Sequence, residues 1–131
     1  MRERTSLLHI IKHFKRCSEY IRTGIFYDVT DEVVEAMHEI HNFVFNGCEY
    51  DDLDTADTKK ATKYQDIFDL LYNEEEDIPY KTISEILGGV NVKKAVAKFN
   101  RIAIGKVRKM AKSNRVYQIL LDIYFRVIKN L

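Results

Sequence analysis

Apolar residues recur at intervals of three and four along most of this chain, the spacing by which a helix buries one face. Leu7, Ile10, Ile11, Phe14, Cys17 and Ile21 predict a first helix over about 6–23, and Gly24 follows as a residue that tolerates the positive φ of a helix terminus. Thr30 is placed to cap a second helix over 31–45, where Val33, Val34, Met37, Ile40 and Val44 repeat and Asn46-Gly47 supplies the stop. Residues 48–57 are acidic and aperiodic, which reads as a solvated loop. A third helix is expected over about 58–72, with Ala61, Tyr64, Ile67, Phe68 and Leu71 inward. Pro79 suits the first turn of a short helix over 79–87, where its missing N–H is not needed, and Gly88-Gly89 ends that helix. Asn91 can cap a long helix over 92–112. Ser113 or Asn114 can cap a last helix over 114–130, which carries Val116, Ile119, Leu120, Ile123, Val127 and Ile128. No segment alternates as a strand would, and no repeat or linker divides the chain. The expected fold is all-α, a compact bundle of about six helices forming a single domain over 1–131.

Composition supports a self-sufficient core, because 46% of the 131 residues are hydrophobic and no disulfide framework is needed. Cys17 and Cys48 could make at most one bridge, so both are expected reduced. No apolar run approaches the roughly 20 residues that span a bilayer, so a cytoplasmic protein without membrane contact is expected.

The net charge of +1 conceals a segregation that changes the picture of possible partners. Residues 26–85 hold 17 acidic and 4 basic side chains, a net −13, whereas 86–121 hold 9 basic and none acidic, a net +9. Within 92–112, Val92, Val96, Phe99, Ala103, Val107 and Met110 fall in one arc of about 80°. Lys94, Lys98, Arg101, Arg108, Lys109 and Lys112 occupy the opposite side as a rail about five turns long, with Gly105 within it. Such a rail can neutralise phosphates of duplex DNA or another polyanion, and the glycine lets a backbone approach. It can equally be a solvated face, or dock on the chain's own acidic segments. Lys12, Lys15 and Arg16 of the first helix are a second group of cations outside the rail.

A short helix, a glycine turn and a basic helix follow the order of a helix-turn-helix unit over 80–112. Ile83 and Leu87 stand where its first helix is apolar, Ser84 is the small residue at the crossing, and Gly88 begins the turn. The stretch DIFDLLYNEEEDIPYKTISEILGG, residues 66–89, resembles region 4 of sigma-70-type transcription factors and related small phage regulators. Apolar positions of the second helix align when the turn is about two residues longer than standard. The resemblance implies a small DNA-binding regulator of transcription, with RNA polymerase as a possible protein partner. It further implies base reading by Asn91, Lys93, Lys94, Ala97 and Lys98, with Arg101 and Arg108 on phosphates. Lys109 and Lys112 extend the same face. The alternative is a non-catalytic helical interaction module of viral or adaptor type, holding a protein partner through a charged face or an apolar groove.

Other constellations carry less. His9, His13 and Cys17 recur every four residues and His38 and His41 lie three apart, so two packed helices could assemble a zinc site, although histidines bordering an apolar face are more often simply packed. Glu35-x-x-His38 is half of a di-iron signature that has no second copy. Asp51, Asp52, Asp54 and Asp57 lack the glycine and closing glutamate of a calcium loop. No nucleophile, phosphate-loop or metalloprotease motif occurs, so neither catalysis nor a cofactor is expected.

Overall fold

The computed structural model describes residues 6–16, 30–48, 52–53, 62–73 and 75–129. Among these residues lie the helices α1 (Leu7–Arg16), α2 (Asp31–Gly47), α3 (Tyr64–Leu71), α4 (Tyr80–Ile86), α5 (Val92–Ala111) and α6 (Arg115–Lys129). Between α2 and α3 a short antiparallel pair joins β1 (Asp52–Leu53) to β2 (Thr62–Lys63), with Asp52 opposite Lys63 and Leu53 opposite Thr62. That pair corrects the sequence reading, which placed 52–53 in a loop and 62–63 inside the third helix; α3 instead starts at Tyr64. Two-residue strands are too short for alternation to register, so periodicity had no means of finding them. The expected extension of the first helix over 17–23, Gly24, and residues 58–61 lie outside the described residues.

Local chemistry explains most helix ends. Thr30 Oγ1 accepts the Val33 N–H at 3.4 Å, Asn91 Oδ1 accepts the Lys94 N–H at 3.1 Å, and Asn114 Oδ1 accepts the Val116 N–H at 3.0 Å. Pro79 stands at the N-cap of α4, one residue outside the expected helix, where its φ of −61° and ψ of 148° lead the chain in. α2 runs to Gly47 rather than stopping near 45, since the Cys48 N–H still reaches the Val44 and Phe45 carbonyls at 3.2 and 3.3 Å.

α5 is the centre of the packing and touches each of the other five helices. A single buried cluster draws side chains from all six, including Leu7, Met37, Phe68, Ile83, Phe99 and Leu120. Of the residues expected inward on the third helix, Tyr64, Ile67, Phe68 and Leu71 are buried and Ala61 lies outside the described residues; Val92, Val96, Phe99, Ala103 and Val107 of α5 are buried, while Met110 is half-buried. α6 presents a face shifted from the expected one: Tyr117 and Tyr124 are buried beside Leu120 and Ile123, and Val116 and Ile119 are half-buried. Tyrosine rings supply apolar area while their hydroxyls reach polar partners. The Tyr117 hydroxyl donates to Glu39 Oε2 at 2.6 Å, and burial, then this bond and the Glu39 charge, push its pKa up to about 12. Among the described residues no helix is long and apolar enough to cross a membrane.

Candidate nucleic-acid interface

Because its opposite face fills the core, α5 can show solvent only one side, and eight of its positions are exposed: Lys93, Lys94, Ala97, Arg101, Gly105, Arg108, Lys109 and Lys112, the last as its C-cap. They span about 160° of the helix circumference. Six are cations and none is acidic. Lys93, Lys94, Arg101, Lys109 and Lys112 make no ion pair among the described residues. Arg108 lays its guanidinium 5.7 Å from the Phe125 ring centroid of α6.

Two residues expected in this surface have partners within the protein. Asn91 spends its side-chain oxygen on the α5 N-cap, so it cannot offer the two-pronged amide that reads adenine. Lys98 is half-buried and holds its ammonium 4.0 Å from the centroid of the Tyr64 ring, at the start of α3. Lys106, at the edge of the core stripe, is similarly drawn 4.7 Å from the Phe43 ring of α2. Partners on neighbouring helices decided the two lysines, which helical spacing alone could not have revealed, whereas the Asn91 cap is local to α5.

Arg108 and Lys109 in the last turn suit the negative end of the helix dipole, but other parts of the rail are costly to the helix that carries it. Lys93 and Lys94 lie in the first turn, which has no acidic residue, so their charges oppose the positive end of the helix dipole. Arg108 and Lys112 are like charges one turn apart, an arrangement that also destabilises a helix. Gly105 has open space where a side chain would stand, so nothing in the packing demands a residue that weakens the helix.

The chain enters α5 through a stiff turn. Gly88 and Gly89 take φ of 80° and 92°, a region unfavourable to other residues. The Gly89 N–H donates to the Ser84 carbonyl at 2.7 Å, closing α4 in a Schellman-type cap, and Ser84 Oγ donates to the Val90 carbonyl at 2.9 Å. Five residues, 87–91, separate α4 from α5, against the three or four of a standard helix-turn-helix. Val90 is buried, so this turn is anchored at its far end too.

The remaining candidates do not converge. His9 is packed 4.9 Å from Tyr72 and 6.1 Å from Tyr80, and His41 4.9 Å from Phe68, while His13 and His38 are exposed. Among the described residues no group of three His, Cys, Asp or Glu could hold a metal, and Cys17 lies outside them. Ser6 Oγ lies 2.6 Å from His9 Nδ1, superficially a nucleophile and base, but both are buried and the same Ser6 oxygen accepts the His9 N–H at 3.3 Å in the first turn of α1. That geometry organises a helix start. In the acidic segment before α4, Asp77 pairs with Lys12 Nζ of α1 at 3.0 Å. Compared with known proteins, the chain matches no family model, no curated protein and no solved structure.

Proposed function

We propose that this protein binds duplex DNA through the exposed face of α5, as a small helical nucleic-acid-binding regulator. The observation that carries the reading is the set of six exposed cations on the helix that packs against all the others, without an acid on that face. A rigid platform holds charge in place for a phosphate backbone, and cations there can release counterions when a phosphate chain arrives. A role in transcription rests on the resemblance of residues 66–89 to sigma-70 region 4.

The test compares two charge-reversed variants by duplex-DNA retention at graded salt. Lys94, Arg101 and Lys109 are changed to Glu together, a choice that spares Lys98 and Arg108, whose side chains lie on aromatic rings. Retention is expected to fall about a hundredfold or more with little change in melting temperature, because the changes reverse a local field at exposed positions. Lys81→Glu with Arg126→Glu, on α4 and α6, is expected to leave retention within about threefold. Equal losses from both sets would mean diffuse attraction. Unchanged retention in the first set would instead favour an interaction module for a protein partner.

A further inference from the structure

We infer that α5 meets DNA mainly through phosphates at its two ends, with base recognition confined to Arg101; this rests on the reading of α5 as the DNA-binding face. Amide, hydroxyl and carboxylate side chains, which read base edges other than guanine's, are missing from that face. Its eight exposed positions contain Lys, Arg, Ala and Gly, and no Asn, Gln, Ser, Thr, Asp or Glu. The two asparagines bordering the helix face are occupied: Asn91 caps α5, while Asn100 accepts the Leu7 N–H at 2.8 Å and donates to the Tyr124 hydroxyl at 3.2 Å.

Shape sorts the remaining cations. Lys94 and Lys112 are separated by about 27 Å along a straight helix. The major groove winds once in about 34 Å, so a straight rod of this length leaves the groove floor at both ends and meets the flanking phosphates. Lys93 and Lys94 stand at one end, and Arg108, Lys109 and Lys112 at the other. Close approach is possible in the middle, where Ala97 and Gly105 lie one turn to either side of Arg101 and nothing stands within 4 Å above Gly105. Arg101 is therefore the one long side chain aimed at the groove floor, and its guanidinium can take the O6 and N7 of one guanine.

Two readouts separate these roles, measured on the full chain after a melt shows each variant folded. In binding to random-sequence duplexes, the wild type is expected to favour sites with a single G·C pair over others by at most about 5- to 150-fold, the discrimination of one bidentate contact. Its log affinity is expected to fall against log salt with a slope of about −4.5, from five phosphate contacts. Arg101→Ala should erase the base preference and leave the slope nearly unchanged. Lys93→Ala with Lys94→Ala should flatten the slope by about 1.8 and leave the preference intact. An enriched motif of several bases, a preference above about 1,000-fold, or a preference surviving Arg101→Ala would overturn the inference while leaving DNA binding standing. Absence of salt-dependent retention on any duplex would overturn DNA binding and this inference together.

Discussion

Lys12 is a lysine that the bundle has taken inside. It is 4% exposed on α1, with Nζ donating to the Glu76 carbonyl at 2.7 Å and the Leu71 carbonyl at 3.3 Å and pairing with Asp77 at 3.0 Å. Two of these acceptors are backbone oxygens just after or at the end of α3, so the ammonium joins α1 to the segment leading into α4. A buried cation is tolerated only when such partners replace water. Lys12→Ala should cost about 2–4 kcal/mol, from the lost stem and the carbonyls left without a donor. Asp77→Asn should cost under about 1 kcal/mol, since that carboxylate is more than half exposed and Lys12 keeps both carbonyls. Denaturant melts of the two variants check this, and equal costs would remove Lys12 as the joint. Its burial also removes Lys12 from the exposed cations of α1.

At the scale of elements, α5 and its entry turn contain glycines with opposite consequences. Gly89 needs its positive φ of 92°, so Gly89→Ala should destabilise the protein by about 1–2 kcal/mol even though a Cβ there would meet no atom. Gly105 lies within the helix with the same open surroundings and no such φ, so Gly105→Ala should stabilise by about 0.5–1 kcal/mol. Thermal melts of both variants decide the matter; a loss at Gly105 would show that α5 is strained there. Both glycines were legible as punctuation in the sequence, one as a stop and the other inside a helical pattern. Helix assignments for α2, α4, α5 and α6 agree with the apolar period and caps because those signals act within a few residues. The start of α3 does not, because β2 is defined by a partner strand ten residues earlier.

For the whole molecule, Phe99 links the rail-bearing helix to the aromatic centre of the bundle. Its ring meets Tyr64, Phe68 and Tyr72 at centroid distances of 5.8, 5.3 and 6.1 Å, in edge-to-face arrangements. Phe99→Ala should cost about 3–5 kcal/mol and loosen the platform under the cations, whereas Ile86→Ala, at an exposed position, should change stability by less than about 0.5 kcal/mol. Comparable denaturation midpoints for the two would contradict this placement of the core. The sequence by itself determined that the chain is helical, where α5 and α6 begin, and that one side of α5 is basic, since periodicity, caps and face membership follow from the geometry of neighbouring residues. Tertiary structure, together with one local cap, decided which polar side chains stay available. Tyr64 draws in Lys98, the α5 N-cap occupies Asn91, and Asp77 with two distant carbonyls draws Lys12 into the interior. Apart from the cap, these outcomes depend on groups far away in the chain that approach only when the core closes, and no local pattern encodes such a meeting.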